Sequence, residues 1–323
     1  MCSDLGHAFS KMKKAFMTFA ILSALMKGIW AIDPVSAERA APLLSNILKG
    51  EQVSFLSYKQ DSIASEGETA APLKLMSVSG QQVIVTRDGR RLSEAPEGSI
   101  AMIPVNGTII KGDACAYGTK DYTLAIQAAN NNSNIDAIIL EIDSPGGMVD
   151  GTATFADAIK NSKKPVVAFI DDGMMASAAY WIGSAADVII ASHNTSQAGS
   201  IGVYTTLMDI RGAFEEQGVK IKSIYAPEST EKNGPFIEAM EKDNDKLMEQ
   251  ELSFIAQEFI STVKTNRAGK INLSAGDPFK GKLFYAQEAI EVGLIDKIGS
   301  FEVAVQTARE LTKKNQSGIN ISI

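Results

Sequence analysis

From about residue 98 onward, short and nearly continuous apolar runs alternate with segments of helical spacing. The runs are Ser99–Val105, Asp136–Ile142, Pro165–Ile170, Asp187–Ala191 and Val219–Ala226. A strand with no polar alternation is one covered on both faces, as parallel sheets require. Between the runs, helices are predicted over Tyr122–Asn130, Gly151–Asn161, Met175–Ala186 and Ile210–Gln217. A long helix follows from about Phe236 to Arg267, where Met248, Leu252, Ile255, Phe259 and Val263 recur at spacings of 4, 3, 4 and 4. That stripe is one helix face and reads as core, not as cofactor contact. Buried strands alternating with helices predict an α/β fold with mainly parallel pairing.

The first 97 residues have a different texture. Residues 1–58 read as mainly helical, with a break at Asp33-Pro34. Lys11, Lys13 and Lys14 precede a mostly apolar run, Ala15 to Met26, and Val35-Ser36-Ala37 has the form of a cleavage site. These are the parts of a signal peptide. The same residues place Phe16, Phe19, Leu22, Leu25, Met26 and Ile29 on a packed amphipathic helix, which is the favoured reading. The run is short for a membrane span, and Lys27 interrupts it. Residues 59–72 are polar and read as a surface linker, followed by a β-like pair at Gln82–Thr86 and, past Asp88-Gly89, Leu92. The expected organisation is an accessory region over 1–97, a core domain over 98–312 and a flexible tail over 313–323.

Composition narrows the chemistry. The net charge of −7 and the lack of a dense basic run argue against a nucleic-acid binder. Cys2 and Cys115 are far apart, and His7 and His193 are the only histidines, so no metal site is expected. No cofactor is expected either.

Two segments carry candidate chemistry. Asp143-Ser-Pro-Gly-Gly147 follows the buried run ending at Ile142. A strand that ends in a Gly-Gly turn and leads into a helix leaves backbone N–H groups for a developing negative charge. Asp171-Asp-Gly-Met-Met-Ala-Ser177-Ala-Ala-Tyr-Trp181 follows the run ending at Ile170. Ser177 is flanked by small residues, leaving room for a substrate backbone. The N–H of Ala178, with that of Gly146 or Gly147, would then form an oxyanion hole. Both segments close adjacent buried strands at their C-terminal ends, where open α/β sheets place their sites.

The order SPGG, MASAAYW, AGSIGV (Ala198–Val203) and GKLFYAQEAIEVGLID (Gly281–Asp296) resembles the signal peptide peptidase A / protease IV family of serine peptidases. The resemblance covers about residues 98–305. It is nearest to the one-domain phage-type members of capsid maturation, through the Trp30-Ala31-Ile32 region and the chain length. It implies a Clp/crotonase-like core of repeated ββα units. It also implies Ser177 as the acylated nucleophile, Gly147 and Ala178 as oxyanion donors, and Ser200 as the serine that hydrogen-bonds the base. The histidine that serves related Clp proteases would fall at Gly202, and His193 reads as an ordinary surface residue. The family uses a lysine instead, which acts only when neutral, so activity is expected to rise toward alkaline pH. An ungapped match places Thr230 where the family keeps that lysine. Lys232, two residues on, is the only lysine of the segment and is assigned as the base.

The resulting expectation is a Ser/Lys endopeptidase acting on polypeptide, with phage capsid or scaffold processing as its biology and a cytoplasmic location. Signal-peptide degradation, with an exported or membrane-associated chain, is the rival. A crotonase-like acyl-CoA enzyme and an inactive scaffold are the readings from other classes. The family further implies a homo-oligomer in which serine and lysine can come from neighbouring subunits.

Overall fold

The apolar runs become strands because each must be covered on two sides. The computed structural model describes residues 30–32, 73–77, 82–85, 95–112, 117–207 and 222–317, with a few isolated positions between 208 and 221. In chain order, β1 (Trp30–Ile32), β2 (Leu73–Met76), β3 (Gln82–Val85) and β4 (Ser99–Asn106) precede α1 (Thr119–Asn131). Next come β5 (Ile135–Ser144), β6 (Gly146–Met148), α2 (Thr152–Lys160), β7 (Val166–Ala176) and α3 (Ala178–Gly183). Then β8 (Val188–Ala191), β9 (Gln197–Gly199), α4 (Gly234–Lys242) and α5 (Lys246–Asn266) follow. A 3₁₀ turn at Pro278–Lys280, β10 (Leu283–Tyr285), α6 (Ala286–Glu291), β11 (Lys297–Ile298) and α7 (Phe301–Ser317) complete the described chain.

The main sheet runs β10-β9-β7-β5-β4-β2-β3, with β8 also on β7 and β11 on β8. The β4/β5, β5/β7, β7/β8 and β7/β9 pairs are all parallel, as the continuous apolar runs predict. Along β5, Ile138, Leu140 and Ile142 join one core cluster, with Phe155 of α2 and Tyr180 and Trp181 of α3. Ala137 and Ile139 belong to the other, with Ala304 and Ala308 of α7. The period-2 alternation thus sends one strand's side chains into two cores. Trp181 stacks on Phe259 of α5, ring centroids 4.6 Å apart, anchoring the only part of α5 that is fully buried, Phe259 and Val263.

Several expectations are corrected. The helix expected from Met175 begins at Ala178, because β7 continues through Ala176 to pair with β9. The expected strand Val219–Ala226 is exposed, non-strand chain over 222–226; its first three residues lie outside the described set. The single long helix is two, α4 and α5, broken at Asp243 (φ 54). Residues 313–317 of the expected tail are helical, and 318–323 lie outside the described residues. The helix α7 runs to Ser317, held by Thr312, whose hydroxyl donates to Asp136 O at 3.0 Å. Strand β3 is present where Gln82–Thr86 was read, and its described partner is β2, on the far side of the sequence from Leu92. The helical reading of 1–58, the signal-peptide reading of 11–37, the linker, both cysteines and most of Ile210–Gln217 lie outside the described residues.

Candidate active site

Strand β7 does two jobs. Its first half, Val167–Ile170, pairs with β8, and its last residues, Met174–Ala176, pair with β9. Between the halves the chain bulges: Asp172 has φ 47, and Met174 N–H donates to the Asp143 carboxylate at 3.2 Å. Met175 lies opposite Ser144 on one side and Ala198 on the other. Three segments therefore reach the same end of the sheet together: the SPGG turn, the Ser177 junction and the AGS segment.

Ser177 sits between β7 and α3 with φ 53 and ψ −118. A non-glycine residue holds such angles only where its surroundings impose them, and such strain concentrates at functional junctions. The imposing contacts are visible. Ser177 N–H donates to Gly199 O at 2.8 Å, and Trp181 N–H donates to Ser177 O at 2.9 Å. The Ser177 hydroxyl donates to the Gly202 carbonyl at 3.3 Å. The residue is 1% exposed, so the hydroxyl is closed to solvent in this conformation.

The SPGG turn is organised by its own serine. Ser144, fully buried, donates to Gly107 O at 2.6 Å and accepts from Gly146 N–H at 3.2 Å. That bond engages Gly146 N–H, which separates the two glycines left open by the sequence. Gly146 takes φ 97, which favours glycine. Gly147 is needed for a different reason: a Cβ there would stand 2.1 Å from Ile109 O and 2.5 Å from Ile109 N. Both obstacles are backbone, so nothing larger fits.

Ser200 closes β9 beside Ser177, with φ 53, and its N–H donates to Lys282 O at 2.8 Å. Lys282 thus reaches the site by its backbone, while its ammonium lies 3.4 Å from Glu288 and over the Phe284 ring. Lys232 is exposed, in the turn before α4, its N–H donating to Ser229 O at 3.3 Å. The Ser177 hydroxyl bonds to the Gly202 carbonyl, and among the described residues no amine or imidazole hydrogen-bonds to it. His193 is exposed in a turn closed by Ser196, whose side chain accepts from His193 N–H at 3.3 Å.

Beneath the site lies a polar anchor that the sequence pattern did not flag. Arg267, 1% exposed, makes a two-pronged contact with Asp296 at 2.9 and 3.1 Å, and its Nε donates to Gly293 O at 3.0 Å. Asp296 also accepts from Lys270 at 2.7 Å and from Ile189 N–H at 2.7 Å. Burial alone would push the Asp296 carboxyl up; the guanidinium, Lys270 and the Ile189 N–H outweigh it and hold the carboxyl below its ordinary value. One residue beyond Gly293, the Leu294 carbonyl accepts from the buried Tyr180 hydroxyl of α3 at 2.7 Å; burial raises the Tyr180 phenol well above its usual range. The 281–296 motif is therefore clamped to the helix that follows Ser177.

Among the described residues no cluster of three metal-ligating side chains occurs, and no helix is long and apolar enough to cross a membrane. Residues 158–315 match the family model of Peptidase family S49. This stretch is an S49 peptidase domain. It holds Ser177, Ser200, Lys232 and the Arg267–Asp296 anchor, while the SPGG turn lies just before it. The chain is 29% identical over 223 residues to Protease 4 of Haemophilus influenzae, covering 67% of this chain and 35% of that protein. It is 26% identical over 276 residues to Capsid assembly protease C of Escherichia phage lambda, covering 82% and 61%. The chain therefore spans about a third of the first relative and about three-fifths of the second. Among solved structures, the 1510-N membrane-bound stomatin-specific protease aligns with a TM-score of 0.41 and 19% identity, over 66% of this chain and 85% of that one.

Proposed function

We propose that the S49 domain is a serine endopeptidase that works through an acyl-enzyme on Ser177. The observation that carries this reading is the strained Ser177 junction, held beside the SPGG turn by parallel strand pairing and followed by the first turn of α3. In the proposed reaction, Ser177 Oγ attacks the peptide carbonyl carbon as its proton passes to a lysine amine. The oxyanion is held by the N–H groups of Gly147 and Ala178. The lysine returns the proton to the leaving amine, and water then hydrolyses the ester by the same route.

The proposed base is Lys232 of a neighbouring copy. Its exposure supports a role across a subunit boundary, as do the apolar residues around it that one chain leaves uncovered. Ile224 is 81% exposed, and Tyr225 and Phe236, close to Lys232 in the chain, are exposed as well. Such residues near one lysine fit an interface between copies. The likeness to the phage lambda capsid protease, which extends over most of this chain, supports processing of phage capsid or scaffold protein as the biological role.

Two measurements test this. A fluorophosphonate probe should label the native protein, and Ser177→Ala should abolish labelling and the cleavage of casein. Ser177→Ala and Lys232→Ala proteins, each inactive alone, should regain activity when mixed, because a mixed assembly unites an intact serine with an intact lysine. Full activity of Lys232→Ala alone would remove Lys232 from the mechanism. Labelling at a residue other than Ser177 would remove the whole proposal.

A further inference from the structure

Strand β6 has two edges, and both are occupied. On the inner edge, Ile109 N–H donates to Gly146 O at 2.8 Å and Met148 N–H donates to Ile109 O at 2.8 Å. Neighbouring peptide groups of a strand point to opposite sides. The bonds to Ile109 use Gly146 O and Met148 N, so the N–H and C=O of Gly147 face the outer edge. There β1 runs antiparallel, with Trp30 opposite Met148, Ala31 opposite Gly147 and Ile32 opposite Gly146. A residue whose N–H and C=O both face its antiparallel partner exchanges two hydrogen bonds with it. Ala31 and Gly147 form that pair.

We infer that the outer edge of β6 is a docking site for an extended polypeptide, and that this chain's own Trp30–Ile32 occupies it as a built-in competitor of substrate. The inference rests on the reading of Ser177 and Gly147 given above. The register puts the Ala31 carbonyl on the Gly147 N–H, the donor assigned to the oxyanion, so Ala31 stands where the residue before a scissile bond would stand. The near-complete closure of Ser177, 1% exposed, fits a filled cleft. The ladder is also suited to release. β1 contributes only three residues and, among the described residues, pairs with β6 alone, so little backbone pairing holds it in place. A polypeptide offering more residues to the same edge displaces it, and the apparent affinity for that polypeptide falls with the fraction of molecules whose edge is free.

The test separates docking from catalysis by using full-length Ser177→Ala protein, with Cys2→Ser and Cys115→Ser. Trp30→Cys and Met148→Cys are then added. These positions flank the exchanging pair, so their Cα atoms stand about 4.5 Å apart, within disulfide range. Intact mass under non-reducing conditions reads the cross-link. Fluorescence anisotropy reads binding of a fluorescein-labelled peptide with the sequence of residues 26–36. The cross-link should form in the folded protein, and the oxidised form should bind the peptide at least about tenfold more weakly than after reduction. In uncross-linked protein, Ala31→Pro, which removes the N–H facing Gly147, should bind at least about tenfold more tightly than its parent. Failure of the folded protein to cross-link overturns the inference, as does equal binding before and after reduction. If the cross-link controls binding while the Ser177 protein neither labels nor cleaves, the docking edge stands and the nucleophile assignment falls.

Discussion

Removing either partner of the Arg267–Asp296 pair should be costly, but not equally so. Arg267→Met deletes the guanidinium and leaves Asp296 with two donors, Lys270 at 2.7 Å and Ile189 N–H at 2.7 Å. The Gly293 carbonyl loses its recorded side-chain donor. Asp296→Leu instead leaves a 1%-exposed guanidinium with only the Gly293 carbonyl, a full charge facing one neutral acceptor. Breaking a buried ion pair by removing one partner costs about 3–5 kcal/mol. Arg267→Met belongs at the low end, about 3 kcal/mol, and Asp296→Leu at the high end, about 5 kcal/mol, because an unpaired buried cation is the worse remnant. Urea unfolding followed by tryptophan fluorescence measures both, since Trp181 stacks on Phe259 within the same core. The double variant should cost less than the sum, because neither remnant survives in it. The pH dependence follows from the depressed Asp296 carboxyl. The folded state binds that proton more weakly than the unfolded chain, so the contribution is complete above the ordinary carboxylate value of 3.8 and is lost as pH falls through the lower folded value. The native protein should therefore lose its stability advantage over Asp296→Leu in acid. Equal costs for the two single variants, or a larger cost for Arg267→Met, would refute this account.

Other outcomes follow from the same contacts. Gly147→Ala should lower kcat by about 10²–10³-fold, because its Cβ can be admitted only by moving the strand that carries the proposed oxyanion N–H; steady-state cleavage of casein checks it. Tyr180→Phe should destabilise by about 1–3 kcal/mol through the orphaned Leu294 carbonyl, with fluorophosphonate labelling retained in the folded fraction; thermal melts and labelling together decide it. Ser144→Ala should lose two buried hydrogen bonds, about 1 kcal/mol each, and slow labelling by releasing the Gly146–Gly147 turn; unchanged labelling kinetics would show that the turn holds itself.

Much of this architecture was written locally. A strand covered on both faces must be apolar throughout, so Ser99–Val105, Asp136–Ile142, Pro165–Ile170 and Asp187–Ala191 announced a parallel sheet without any knowledge of partners. The SPGG turn and Ser177 were legible because glycine and small residues mark places where backbone must come close. What the chain order left open were the contacts that distant segments supply. Met175 and Ala176 looked like the first turn of a helix, and pairing with Ala198 and Gly199 made them strand instead. Arg267 read as the end of a helix, and only the arrival of Asp296 turned it into a buried anchor. The residues alone left Gly146 and Gly147 alike, the family resemblance pointed to Gly147, and only the folded chain shows the Ser144 hydroxyl accepting from Gly146 N–H. Local propensity and burial pattern are properties of neighbouring residues and so are carried by the sequence. Hydrogen-bond partners and charge partners lie tens or hundreds of residues apart, and only the folded chain chooses among them.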